Sequence, residues 1–258
     1  MKLLLENWRK YLNEGEAQYF PWLKDLPEWE KGYGYGLSMG DKLKDREAQG
    51  DKQFKRVGGG SFRSVWAPAG DDDHVIKIAH VLDDHKLQMN KDDFEISKRY
   101  PLIFPKAYAH ADDFSWIVME KSPPLIYMED MQKVLDKSFP AEQEAILGAT
   151  ELLPKWFNLA DPFHIMKMIM NSFRFNRNIK PEDVSTDPND ADREALDLQK
   201  IIAPVSGRVY QELSKLMHEF AVDKYEIGRG NIGHDKDYNF KIIDSSVFDS
   251  VWDSESPE

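Results

Sequence analysis

Cysteine is absent from the chain. That excludes disulfides, thiolate metal sites, iron–sulfur clusters and cysteine nucleophiles together, and it fits a reducing compartment. No apolar run approaches the ~18–20 residues needed to cross a bilayer. Basic residues are in deficit, 34 Lys and Arg against 46 Asp and Glu, for a formal net charge of −12. A general nucleic-acid binder or a binder of anionic membranes carries the opposite sign, so neither nucleic acid nor membrane is an expected partner. The seven histidines include no His-Glu-x-x-His or comparable zinc spacing. No internal repeat is present. What remains is 258 residues, 41% hydrophobic and 31% charged, enough for one large domain or two small ones and too apolar for a disordered chain.

Met1–Glu14 reads MKLLLENWRKYLNE. The apolar Leu3-Leu4-Leu5 run stops at Glu6, too short for a secretion signal. Leu4, Leu5, Trp8, Tyr11 and Leu12 recur at helical spacing, so a short amphipathic helix is expected, docked on the body of the protein. The segment also resembles the N-terminal leaders of tailed-phage proteins, those related to T4 in particular. Some of these direct proteins into the prohead and are cut after a Leu-x-Glu site, which Leu12-Asn13-Glu14 matches. That resemblance implies a phage origin, a host-cytoplasmic location and packaging in the virion as an alternative.

Residues 15–56 hold Pro21, Pro27 and several glycines and aromatics. They read as an irregular lead-in with short helices, one around Asp41–Gln49. From Phe54 the pattern becomes strand-like: Phe54–Val57, Ser64–Ala67 and His74–Ala79, the last reached through the turn Gly70–Asp73. Leu87–Tyr100 suits a helix ending before Pro101. Lys106–His110 and Ser115–Met119 form an expected hairpin. Helical stretches follow at Met128–Lys137, Ala141–Phe157, Pro162–Phe175 and Gly207–Val222, with the polar Asn178–Asp192 read as a linker or exposed loop. Asn231–His234 and Asn239–Ile243 read as short strands.

The chemistry-bearing run is Val57-Gly58-Gly59-Gly60-Ser61-Phe62-Arg63-Ser64-Val65. Consecutive glycines between strands let the backbone approach a bound group and aim amide hydrogens at phosphate oxygens; a plain glycine hairpin turn is the simpler alternative. Lys77 lies 12 residues past Val65, between Ile76 and Ile78. It faces either a bound anion or, in the simpler reading, solvent. The helix after it carries Asp92, Asp93 and Glu95, any of which would hold an ammonium. Trp116-Ile-Val-Met119-Glu120-Lys121 ends a strand before Pro123-Pro124.

In this order and spacing the sequence resembles the protein-kinase-like superfamily. Gly58-x-Gly60-x-Phe62-x-x-Val65 resembles its glycine-rich loop, with Gly59 and Ser61 between and with Arg63 in place of the usual third glycine. Lys77 resembles the lysine that pairs with the α- and β-phosphates. Asp93 or Glu95 would be its partner, and spacing favours Glu95. Met119 would guard the adenine pocket, and Glu120-Lys121 would begin the hinge whose backbone pairs with adenine. Glu226-Ile-Gly-Arg-Gly-Asn231 resembles the catalytic loop of the aminoglycoside-kinase-like and atypical branches. Lys241-Ile-Ile-Asp244 resembles the strand that ends in the metal-binding aspartate. Asp244 follows Asn231 by 13 residues, as the family's hairpin requires. The resemblance implies ATP as ligand, Mg²⁺ held by Asn231 and Asp244, and Glu226, Lys77, Asn231 and Asp244 as the catalytic set.

The sequence also departs from the pattern. Glu226 stands where the family has aspartate, and Gly228 where it has histidine. Ser245-Ser246 replace the usual Phe-Gly, and only 14 residues follow Asp244. A displaced carboxylate matters because in-line transfer is sensitive to placement near 1 Å. Three readings follow: an active atypical phosphotransferase with an unidentified protein or small-molecule acceptor, a pseudokinase that binds nucleotide or a partner without catalysis, and a packaged or structural phage protein on a kinase scaffold. The expected architecture is α+β and two-lobed, with a truncated C-terminal portion. Residues 1–53 are the extension, 54–121 a small antiparallel-sheet lobe, and 122–258 a helical lobe with the catalytic and metal-binding hairpin. His74, His80 and His85 beside Asp71–Asp73 read as a solvated turn, with a metal-binding loop as the alternative. Met166, Met168 and Met170 are expected in a core or subunit-contact helix.

Overall fold

The computed structural model describes residues 19–26, 39–59, 63–80, 84–149, 158, 160–174, 191–219 and 231–243. The amphipathic helix and cleavage site expected over Met1–Glu14 lie outside them. The described part is a mixed α/β protein with a small antiparallel sheet and, among the described residues, seven α-helices. The described residues within Met1–Glu95 and Lys106–Lys121 form one compact unit, and those within Ile96–Pro105 and Ser122–Glu258 a second.

In the first unit, strands β1 (Phe54–Gly59), β2 (Arg63–Pro68), β3 (His74–Ala79), β4 (Ala107–His110) and β5 (Trp116–Glu120) form one sheet in the order β1-β2-β3-β5-β4. Every neighbouring pair is antiparallel. Side chains alternate between faces along each strand. Ile76, Ile78 and Trp66 therefore share one face, where Met39 and Leu43 of helix α1 (Met39–Ala48) cover them. Val65, Val75, Ile117 and Met119 share the other, against Phe94 of helix α2 (Asp84–Arg99). Helices on both faces explain why β3 is buried from Val75 to Ala79 rather than alternating with solvent. The lead-in is anchored as well: Phe20 is buried against Ala109 and Val118, and Trp22 Nε1 donates to Asp71 Oδ2 at 3.0 Å.

The second unit holds α3 (Met128–Ser138), α4 (Pro140–Gly148), α5 (Pro162–Asn171), α6 (Ala191–Ile202), α7 (Arg208–Glu219) and the hairpin β6 (Ile232–His234) with β7 (Phe240–Ile242). Met131, Val134, Leu135 and Ser138 form the buried stripe of α3 at helical spacing. Asp161 caps α5 by accepting from Phe163 N at 2.9 Å, with Pro162 at the first helical position. Met166 and Met168 are buried in the core and Met170 packs against it. Two expectations change. The helix begun at Pro140 stops at Gly148 instead of running to Phe157, at a glycine whose backbone freedom disfavours helix; residues 150–157 lie outside the described set. Helix α6 begins at Ala191, inside the stretch read as a loop. Ala195, Leu198 and Ile202 bury one face of it, and Arg193 pairs with Asp197 one turn on.

Candidate functional site

Lys77 sits mid-strand in β3, opposite Val65 of β2 and Ile117 of β5. Strand alternation puts it on the α2 face, opposite to Ile76 and Ile78. It is only 7% exposed, which removes the solvated-lysine alternative. A buried ammonium needs a partner, because desolvation costs several kcal/mol. Its Nζ donates to Asp93 Oδ2 at 2.6 Å.

The partner is thus Asp93, which corrects the preference for Glu95. The reason is helical periodicity. Asn90, Asp93, Ser97 and Tyr100 recur at intervals of three and four and are buried, whereas Glu95, two residues from Asp93, turns away from that stripe and is exposed. Asp93 also holds Arg63, whose Nη1 donates to the same Oδ2 at 2.7 Å. Arg63 is 5% exposed and donates further to Met89 O at 3.2 Å and Asn90 Oδ1 at 3.4 Å. Asn90 Nδ2 donates in turn to Phe114 O at 2.8 Å. Next along the helix, burial pushes the Asp92 carboxyl above its ordinary value; the Gln88 hydrogen bond opposes this and the Asp93 charge adds to it.

The glycine run continues β1. Gly58 pairs with Val65 and Gly59 with Ser64, past a register irregularity between Arg56 and Gly58. Gly59 has φ +147°, and a Cβ there would lie 2.9 Å from Arg63 O, so only glycine fits. Gly60, Ser61 and Phe62 lie outside the described residues. Met119 is buried with Val65, Val75 and Ile117. Glu120 N donates to Lys106 O and Lys121 N to Asp73 O, both at 2.8 Å. The N–H groups at the expected start of the hinge are therefore committed to the sheet.

In the second unit, Asn231 O accepts from Ile243 N at 2.9 Å, extending the β6–β7 ladder to the residue before Asp244. Asp244 itself, Ser245, Ser246, Glu226 and Gly228 lie outside the described residues. Gly233 is fixed by packing: a Cβ would sit 2.5 Å from Pro123 O. Lys241 is 6% exposed, and its Nζ donates to Pro101 O, Leu102 O and Phe104 O at 3.1–3.4 Å. Those carbonyls belong to the turn after α2, and the ammonium satisfies them where they are buried.

No family model matches the chain, and no curated protein matches it. Among solved structures, a ternary complex of streptomycin, ATP and APH(2")-IIa is similar at 12% identity. The similarity covers 81% of this chain and 70% of that one, with a TM-score of 0.32.

The acidic turn before β3 has its own chemistry. His74 Nδ1 lies 2.8 Å from Asp71 Oδ1. Burial raises the Asp71 carboxyl, but the hydrogen bonds from His74 and Trp22 and the His74 charge outweigh it and leave it below its ordinary value. Among the described residues no cluster of three or more His, Asp or Glu side chains is arranged to hold a metal, and no described helix is long and apolar enough to cross a membrane. One participant carries no signal in the glycine-loop pattern: Arg63 stands there as a lost glycine, although it shares the strand phase of Val65. Lys241, on the approach to Asp244, holds a turn instead.

Proposed function

We propose that the chain is an atypical ATP-dependent phosphotransferase that moves the γ-phosphate of Mg-ATP to a protein or small-molecule acceptor. The observation that carries this reading is the buried Lys77–Asp93 pair, 2.6 Å long, on the central strand, in register through Val65 of β2 with Gly58 at the end of β1. A buried lysine held by a helix carboxylate is a fixed cation for phosphate oxygens. Segment 54–121 would hold the nucleotide, with Gly58–Phe62 and Val65 over the phosphates and Met119, Glu120 and Lys121 beside the base. With both N–H groups committed, Glu120 and Lys121 would offer adenine acceptors rather than donors. Segment 122–258 would supply Glu226 as base or orienting group, and Asn231 and Asp244 as oxygen donors suited to Mg²⁺. Magnesium would neutralise charge on the transferring phosphoryl group.

Melting in millimolar Mg-ATP tests the binding step. A ligand that binds only the native state raises its stability, by about 2.7 kcal/mol at a hundredfold excess over Kd. The wild type should shift upward and Lys77→Met should not; an unshifted wild type ends this reading. A second reading, nucleotide binding without transfer, is favoured by Glu226 and Gly228 in the loop. Incubation with γ-labelled ATP and a bacterial lysate separates the two. Transfer lost in Glu226→Ala, with binding kept, assigns Glu226 its role.

A further inference from the structure

Arg63 occupies a position where the glycine-loop pattern calls for the smallest residue, yet its side chain does not lie idle at the surface. It is buried, and its guanidinium ends on the same carboxylate oxygen that receives Lys77. All the groups concerned belong to the first unit: Arg63 on β2, Lys77 on β3, and Met89, Asn90 and Asp93 on α2. The guanidinium also reaches the Met89 carbonyl and the Asn90 amide oxygen, one turn N-terminal to Asp93. It thus grips two successive turns of the helix.

We infer that Arg63 is a positioning residue for phosphate binding: it fixes the Asp93 carboxylate on the sheet and remains its counter-ion when Lys77 turns part of its hydrogen bonding to a nucleotide phosphate. The physical need is plain. If Lys77 were the carboxylate's sole cation, each shift of its ammonium toward phosphate would strip charge from a buried Asp93, and a buried carboxylate losing its partner costs several kcal/mol. Arg63 removes that penalty. Its forked, permanently charged head can keep one N–H on Asp93 Oδ2 while holding backbone and amide oxygens beside it. This inference rests on the nucleotide reading of Lys77 and names a residue that reading does not use.

The test is titration of the full chain with Mg-ATP and, separately, with adenosine, which carries no phosphate. The variants are Arg63→Met, Arg63→Lys and Lys77→Met. Arg63→Met should weaken Mg-ATP by about tenfold or more, the scale of one hydrogen bond to a charged group, and leave adenosine within about twofold of wild type. Arg63→Lys, which returns a cation to Asp93, should recover most of the loss. Equal weakening of ATP and adenosine would mean that Arg63 merely holds the fold, and overturns the inference. So does unchanged ATP affinity in Arg63→Met, or failure of Arg63→Lys to recover it. If Arg63→Met does not fold, Arg63→Gln, which keeps a donor and drops the charge, is measured with the same expectation. A wild type that binds adenosine and ATP equally, or neither, removes the nucleotide-phosphate reading and this inference together. A wild type that prefers ATP, with Arg63 variants that also do so undiminished, removes only the role of Arg63.

Discussion

Two buried lysines invite comparison. Lys77 sits in Val-Ile-Lys-Ile and Lys241 in Phe-Lys-Ile-Ile, and both are almost fully buried, at 7% and 6% exposed. Their partners differ in kind. Lys77 ends on a carboxylate that a second cation shares. Lys241 ends on three backbone carbonyls in one turn. Carbonyls are fixed in direction by the chain, so they hold Lys241 as a structural clamp. A carboxylate on a helix can divide its lone pairs among donors, and the proposed nucleotide role of Lys77 rests on that freedom. Similar strand contexts thus yield one cation on a shared carboxylate and one on the carbonyls of a turn.

The comparison breaks most visibly at the acceptor. Asp93→Ala takes the shared oxygen from Arg63 and Lys77 and should cost about 3–5 kcal/mol, read as a fall in the denaturant midpoint. Lys241→Met should follow at about 2–4 kcal/mol, since it withdraws a charged donor from buried carbonyls, and any nucleotide-induced rise in melting temperature should survive in the folded fraction. Lys77→Met should cost less, about 1–2 kcal/mol, because Arg63 still satisfies Asp93, yet it should abolish that rise. A Lys77→Met protein that still gained stability from Mg-ATP would erase the distinction between the two lysines.

Smaller effects sharpen it. Asp92, the neighbour whose carboxyl is raised, is disfavoured in its charged form by folding, so it detracts from stability above its ordinary value of 3.8. Asp92→Asn should therefore stabilise the protein at neutral pH by less than about 1 kcal/mol, with the gain vanishing in acid below that value. Asp71 behaves oppositely. Its lowered carboxyl contributes stability above 3.8 that is lost as pH falls through its folded value. Chemical unfolding across pH 2–7 should show Asp71→Asn less stable than wild type at neutral pH, with the two converging in acid.

Much of this architecture was legible along the chain. The five sheet strands, the helix after β3 and the terminal hairpin all announce themselves by alternation, apolar runs and turn residues. Helix α6 did not, because its charged Asp192, Arg193 and Glu194 follow a polar, proline-bearing stretch that hides the apolar phase beginning at Ala195. The site was legible in part. Lys77 stood out by its apolar flanks, but the choice between Asp93 and Glu95 depends on which face of α2 meets the sheet, and spacing measured from Lys77 does not give that. The phase of Asn90, Asp93, Ser97 and Tyr100 would have given it.

Residue type and short-range period suffice to place β3, to set Lys77 among apolar neighbours and to rule out thiol chemistry. The tertiary structure alone decided that Arg63 and Lys77 share one carboxylate oxygen and that Lys241 closes on the turn after α2. Those contacts join residues 30 and about 140 positions apart, and direction in space, unlike periodicity, is set only when sheet and helix pack.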